Sequence, residues 1–86
     1  MSNQVWQILL SERALVEWGN LSSADYEQMR IAILSLALDP RPAGSLKLVD
    51  VETWHWRIGR YRLIYEIDVE QRMVILLGIR PRLFVR

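Results

Sequence analysis

The chain has 86 residues, of which 51% are apolar, so it is long enough for one hydrophobic core and too short for two. It contains no cysteine, which excludes disulfides and thiolate metal sites and favours a reducing cytoplasm. No apolar run approaches the roughly 20 residues that cross a bilayer, and the first residues lack a basic start followed by a long apolar stretch. We therefore predict a single soluble domain over residues 1–86, in the cytoplasm and with no membrane partner.

The net charge of +1 hides a difference between the two halves of the chain. Residues 1–39 hold two basic and five acidic side chains, whereas residues 40–86 hold nine basic and five acidic ones. Ten of the eleven basic residues are arginine, whose planar guanidinium binds phosphate through two parallel hydrogen bonds. Nucleic acid is therefore a candidate partner for the second half, although arginine is also an ordinary soluble surface residue.

The first half of the chain predicts a strand followed by two helices. Residues 5–10 form a short apolar run suited to a strand, and Ser11 is a good N-cap for a helix that runs to about Trp18 and is ended by Gly19-Asn20. Ser22 and Asp25 have capping-box spacing and begin a second helix, which ends before Pro40. Five apolar residues recur at helical intervals in this second helix: Tyr26, Met29, Ile33, Leu36 and Ala37.

After the proline-rich segment 39–45 the apolar pattern changes to that of strands. Residues 46–48 are a short edge candidate, 53–58 and 61–68 alternate as in a hairpin, and 73–79 form a nearly continuous apolar run. The predicted order is β-α-α-β-β-β, with the first strand joining the same sheet. We expect an α+β fold in which two N-terminal helices pack on one face of an antiparallel sheet and leave the other face open.

The hairpin separates apolar from charged side chains. Gly59-Arg60 is a Gly-X pair suited to a two-residue type II′ turn, and this turn sets the pairing of the two strands. Side chains alternate between faces, so the predicted register gives one apolar face and one polar face. The apolar face holds Trp54, Trp56, Ile58, Tyr61, Leu63 and Tyr65, and the polar face holds His55, Arg57, Arg62 and Glu66.

The predicted register places Arg57 directly opposite Arg62. Two like charges at such a position repel each other, and a bound phosphate is one candidate counter-charge. The alternative is an ordinary ion network in which these arginines pair with Glu66 or Asp68 on the same side of the sheet. The aromatic side chains opposite them are expected to pack in the core rather than to stack on nucleobases.

Two stretches of the sequence resemble a known family. The stretch DPRPAGSLKLVD (39–50), the stretch WRIGRYRLIYEID (56–68), the apolar strand after them and the arginine-rich end are similar to the RelE/ParE toxin superfamily of bacterial type II toxin–antitoxin systems. The resemblance covers nearly the whole chain. It implies that a RelE-like member is an mRNA interferase acting in the ribosomal decoding site, whereas a ParE-like member inhibits DNA gyrase.

For a RelE-like member the resemblance implies RNA cleavage without a metal or cofactor, by attack of a ribose 2′-OH on the adjacent phosphate. It places catalytic roles on His55, Arg57, Arg62 and Arg82, with Arg80 as the other candidate for the arginine after the last strand. The C-terminal tyrosine that the family often carries is absent from the ending LFVR, so His55 becomes the candidate proton carrier. We predict that Lys47, Arg60, Arg80 and Arg86 bind RNA.

The resemblance also implies a cognate antitoxin and a toxin–antitoxin hetero-oligomer. We expect a docking surface that combines the two helices, where Glu12, Glu17 and Glu27 meet a basic partner, with the exposed sheet edge, which accepts an added strand. The sequence does not decide among three functions. They are a ribosome-dependent mRNA interferase acting on mRNA, a ParE-like gyrase inhibitor, and a catalytically silent member that binds only the antitoxin.

Overall fold

The structure of the protein is a computed structural model, and it describes residues 5–49 and 52–81. Two helices precede most of the sheet, as the apolar periodicity predicts. The elements in chain order are β1 (Gln7–Leu10), α1 (Glu12–Gly19), α2 (Ser23–Leu38), β2 (Leu46–Lys47), β3 (Thr53–Ile58), β4 (Tyr61–Asp68) and β5 (Met73–Pro81).

The five strands form one sheet in the order β1-β5-β4-β3-β2. The predicted α+β fold is confirmed, but the sheet is mixed rather than purely antiparallel. Strands β2 to β5 are antiparallel to their neighbours, whereas β1 runs parallel to β5. Short reversals force antiparallel pairing between β3, β4 and β5. The chain leaves β1 through two helices, and this long connection permits the parallel arrangement.

The hairpin of β3 and β4 has the predicted register. Arg57 pairs with Arg62, and Ile58 pairs with Tyr61 next to the turn. Gly59 has a φ of 57°, and Arg72 is the one non-glycine with a positive φ in the described part of the chain. In a type II′ turn only the first of the two central residues has a positive φ, and the Gly59-Arg60 turn follows this pattern. A Cβ at Gly59 would also lie 2.7 Å from the Gln28 side chain of α2, so the turn needs glycine for space as well as for conformation.

Both helices begin with the predicted serine caps. The Ser11 hydroxyl accepts a hydrogen bond from the Ala14 N–H at 3.0 Å, and the Ser22 hydroxyl accepts one from the Asp25 N–H at 3.2 Å. These bonds satisfy donors that the first turn of a helix leaves free. Neither helix in the described ranges is long and apolar enough to cross a membrane.

The core lies between the helices and one face of the sheet. The apolar side of the hairpin faces this core, where Leu63 and Tyr65 are fully buried and the aromatic neighbours Trp54 and Trp56 are partly buried. The predicted packing role of these aromatic side chains is therefore confirmed. The remaining buried apolar residues come from α1, α2 and β5: Ala14, Met29, Ala32, Ile33, Leu36, Val74, Leu76 and Ile79.

Tyr65 also fixes the loop between α2 and β2. Its hydroxyl donates a hydrogen bond to the Pro40 carbonyl oxygen at 2.8 Å from a fully buried position. Burial raises the pKa of Tyr65 to about 12, so the hydroxyl keeps the proton that this bond requires. The loop is thereby held against β4, close to the edge strand β2.

Candidate functional site

The open face of the sheet carries a row of three arginines on adjacent strands, which we call the arginine row: Arg57, Arg62 and Arg80. Arg57 on β3 is directly opposite Arg62 on β4, and Arg62 is directly opposite Arg80 on β5. Directly opposed residues of antiparallel strands have Cβ atoms about 4.5–5.5 Å apart. Three cationic side chains are therefore grouped on the face that the helices leave uncovered.

Two members of the row have no carboxylate partner among the residues that the structure describes. Arg57 and Arg62 take part in none of the ion pairs among residues 5–49 and 52–81, so the alternative of an ion network with Glu66 or Asp68 is not what the structure contains. The Arg62 Nε is also buried without a hydrogen-bond partner in the described part of the chain. A buried donor in this condition is costly, and a ligand oxygen would satisfy it.

His55 lies next to the arginine row on the same face, opposite Ile64 of β4. Burial lowers the pKa of His55 below its ordinary value of 6.5, and the nearby Arg62 charge lowers it further. The imidazole is therefore mainly neutral at pH 7 and has one nitrogen free to accept a proton.

A depression of about 220 Å³ lies beside His55. Arg57 and Arg62 form one part of its wall, and Gly44 from the loop held by Tyr65 and Leu46 from the edge strand β2 form another. A neutral imidazole and two guanidinium groups thus line one concave site. This combination provides a proton acceptor beside two anion-binding groups.

The other end of the open face is acidic. A second depression, of about 330 Å³, is lined by several side chains that include Glu52, Glu66, Asp68 and Glu70. The same face therefore changes from basic to acidic along β4. A polyanion would be attracted to the arginine row and repelled from the acidic end.

Arg60 lies at the hairpin turn rather than in the arginine row. Its guanidinium contacts the Asp25 carboxylate of α2 at 3.0 Å, and the Tyr61 hydroxyl donates to the same oxygen at 2.8 Å. The Tyr61 bond is the main cause that lowers the pKa of Asp25 below 3.8, with Arg60 adding to the effect. This contact anchors the turn to the first turn of α2, so Arg60 has a structural partner in addition to its predicted RNA-binding role.

Three other residues predicted from the sequence lie outside the arginine row or outside the described residues. Lys47 is in register with Trp54, on the helix side of the sheet, and its Nζ lies 3.5 Å from a Glu52 carboxylate oxygen. Arg82 and Arg86 fall outside the described residues. Among the predicted site residues, the structure therefore brings together His55 and the arginine row.

The acidic side chains predicted to meet an antitoxin are partly used within the chain. Glu27 pairs with Arg30 on the same helix. Glu17 binds three groups, which include Arg80 and the backbone of β5. The contacts of Glu17 with β5 were not predicted, because Glu17 and Arg80 are far apart in the sequence and no local pattern joins them. No group of three or more His, Cys, Asp or Glu residues suited to a metal ion occurs among the described residues.

Solved structures with the same fold include RelE toxins. The chain is 26% identical to a protein chain in the intact E. coli RelBE toxin–antitoxin complex, with a TM-score of 0.77. The match covers 94% of this chain and 99% of the E. coli chain. This chain is 22% identical to one in the Mycobacterium tuberculosis RelBE2 complex, with a TM-score of 0.82 and coverage of 91% and 92%. It is 20% identical to one in the archaeal RelE–RelB complex of Pyrococcus horikoshii, with a TM-score of 0.78 and coverage of 91% and 96%.

No family model matches the chain, and no curated protein matches it. The structural matches extend over nearly the whole chain and include both helices and the sheet. They confirm the RelE-like resemblance drawn from residues 39–68.

Proposed function

We propose that this chain, which has the fold of the RelE-like toxins of toxin–antitoxin systems, is the toxin of such a system and cleaves mRNA on the ribosome. The observation that carries the proposal is the arginine row, two of whose members have no carboxylate partner in the described chain. Opposed cations of this kind are destabilising unless an anion joins them. RNA supplies such anions as phosphates repeated along its backbone, one for each nucleotide.

The arrangement of side chains supports RNA cleavage without a metal. Neutral His55 accepts the proton of a ribose 2′-OH as the oxygen attacks the adjacent phosphorus. Arg57 and Arg62 stabilise the negative charge that develops on the phosphorane oxygens. The bond from phosphorus to the 5′-oxygen then breaks, the leaving oxygen takes a proton from water, and a 2′,3′-cyclic phosphate remains. Arg80 extends the cationic surface along the RNA backbone.

An antitoxin partner is part of the proposal. The structural neighbours in E. coli, M. tuberculosis and P. horikoshii are toxin–antitoxin complexes, which supports a partner of the same kind for this chain. An antitoxin that covers the arginine row would hold the toxin inactive by blocking access of RNA to the open face. The hetero-oligomer and the cytoplasmic site of action belong to the same proposal.

Synthesis of the chain without an antitoxin, in a cell-free translation reaction, tests the function. We expect the reporter mRNA to be cut within codons that ribosomes are reading and to carry 5′-hydroxyl ends downstream of each cut. Primer extension maps the cuts, and the same mRNA without ribosomes is the control. If the mRNA stays intact and gyrase added to the reaction no longer supercoils DNA, the chain is a gyrase inhibitor. If neither the mRNA nor the gyrase activity changes, the chain is a silent member.

A His55→Gln variant tests the proton acceptor. We expect the cleavage rate to fall by about 100-fold, since general-base catalysis contributes on the order of 10²–10⁴. The wild-type rate should be nearly constant around pH 7 and should fall as the pH drops through the lowered pKa of His55, because protonation removes the base. Single-turnover rates between pH 5 and pH 8 provide the measurement. A variant with an unchanged rate and an unchanged pH profile would contradict this role.

A further inference from the structure

Helix α1 and its N-cap complete one edge of β5 beyond the point where its pairing with β1 ends. Strand β1 pairs with β5 only from Met73 to Leu76. Beyond that point the Ser11 hydroxyl donates to the Leu77 carbonyl oxygen at 3.2 Å, and the Ile79 N–H donates to Glu17 Oε1 at 2.8 Å. A carboxylate from a helix therefore takes the place of a strand acceptor just before Arg80.

The second oxygen of the same carboxylate contacts two arginines. Glu17 Oε2 lies 3.2 Å from Arg80 Nε and 3.1 Å from Arg13 Nε. The Arg80 Nε–H makes no hydrogen bond within the described residues, so its contact with Glu17 is an ion pair whose N–H is not aimed at the oxygen. The Arg80 side chain is 38% exposed, whereas that of Arg13 is 65% exposed. Screening by water therefore weakens the Arg13 pair more than the Arg80 pair.

The backbone leaves room for this contact at Gly78. A Cβ on Gly78 would lie 3.0 Å from Glu17 Oε1 and 3.6 Å from Arg80 Nε. Contacts of 3.0 Å are tighter than side chains ordinarily accept, so a Cβ at this position would shift the carboxylate by a few tenths of an ångström. Glycine at this position permits the carboxylate to bind the Ile79 N–H and Arg80 together.

We propose that Glu17 is a positioning residue that holds Arg80 at the end of the arginine row. Arg80 is the one member of the row that makes an ion pair within residues 5–49 and 52–81. Its contact through Nε leaves the terminal nitrogens of the guanidinium for a substrate phosphate. The carboxylate also offsets part of the repulsion between Arg80 and Arg62. This role rests on the proposed function, since it concerns the binding of the RNA backbone beside the cleavage site.

A Glu17→Gln variant separates the charge from the hydrogen bond. Its amide oxygen can still accept from the Ile79 N–H, so we expect the melting temperature to change by no more than a few degrees. Loss of the ion pair leaves Arg80 less well placed, and we expect kcat for RNA cleavage to fall about tenfold. The apparent KM should stay constant or decrease, because the face becomes more positive. Initial rates on translated mRNA over a range of substrate concentrations give both values.

Arg13→Gln is the matched control, because it removes the other partner of the same carboxylate oxygen. We expect this variant to cleave RNA at the wild-type rate. Equal kcat values for wild type and Glu17→Gln would overturn the positioning role, as would an equal loss of kcat in Arg13→Gln. A Gly78→Ala variant, which displaces the carboxylate without changing its charge, should reproduce the loss of kcat.

A second measurement does not depend on cleavage. The Nε–H resonance of Arg80 in ¹⁵N-labelled protein, assigned with an Arg80→Lys variant, should shift in Glu17→Gln and remain in place in Arg13→Gln. If the wild type cleaves no RNA, the proposed function fails while this resonance still reports whether Glu17 holds Arg80. An unchanged Arg80 resonance in Glu17→Gln would overturn the inference whatever the activity of the wild type.

Discussion

An Arg57→Ala, Arg62→Ala double variant is expected to lose RNA cleavage and toxicity while remaining folded. Removal of a single charge-stabilising donor from an active site costs roughly 10²–10³ in kcat, so loss of both arginines should reduce cleavage by at least about 100-fold. The two side chains are directly opposed cations without a carboxylate partner in the described chain, and their removal also relieves repulsion. We therefore expect the free energy of unfolding to stay constant or to increase slightly.

The measurements are cleavage of translated mRNA, growth on induction, and thermal unfolding of the purified variant. Arg13→Ala, Arg30→Ala is the matched control, because it removes the same charge from the helices, where both arginines are exposed. This control should remain active and toxic. The affinity of the Arg57 and Arg62 variant for single-stranded RNA should also depend less on salt, with a slope smaller by roughly 0.7 for each phosphate that is no longer neutralised. Wild-type toxicity in a folded variant would remove the phosphate-binding role of the pair.

A Leu36→Ala variant is expected to be strongly destabilised. Leu36 is fully buried in α2, and replacing a buried leucine by alanine costs about 2–5 kcal/mol through reduced apolar burial and the cavity that remains. For a domain of this size, each kcal/mol lowers the melting temperature by about 4–8 °C, so the melting temperature should fall by about 10 °C or more. Thermal and urea unfolding in an inactive background measure the change.

Leu38→Ala in the same helix is the matched control. Its side chain is 74% exposed, and a substitution at such a position usually changes the free energy of unfolding by less than about 0.5 kcal/mol. Ile31 and Leu34 of α2 are exposed as well, so this helix is apolar on both its buried and its open side. A larger effect for Leu38 than for Leu36 would show that the helix packs through the other side.

The faces of the hairpin could be predicted from the sequence because local chemistry determines them. A glycine-led two-residue turn sets the register, and alternation then places Arg57 opposite Arg62 and the aromatic side chains on the other side. The same local rules predicted both serine caps and the end of α2 before Pro40. For these features, neighbouring residues in the chain carry all the necessary information.

The addition of Arg80 to the pair was only partly predictable. The family resemblance implies an arginine after the last strand, predicted to end at residue 79, but does not distinguish Arg80 from Arg82 for that position; the observed β5 extends to Pro81 and contains Arg80. The pairing of β4 with β5 contains an irregularity between Ile64 and Tyr65, and the register beyond it places Arg80 opposite Arg62. A shift of one residue reverses the face of every later side chain, so this irregularity decides which residues of β5 face the open side.

The sequence by itself determined the turn, the hairpin register and the cationic face, since each depends on residues that are close together in the chain. Only the tertiary structure decided that β1 runs parallel to β5 and that Glu17 contacts Ile79 and Arg80. These contacts join residues more than 60 positions apart, and they form only when the helices pack on the sheet. Side chains of the same type cannot be told apart by local pattern, so Glu17 resembles the exposed Glu12 until the fold brings it to the edge of β5.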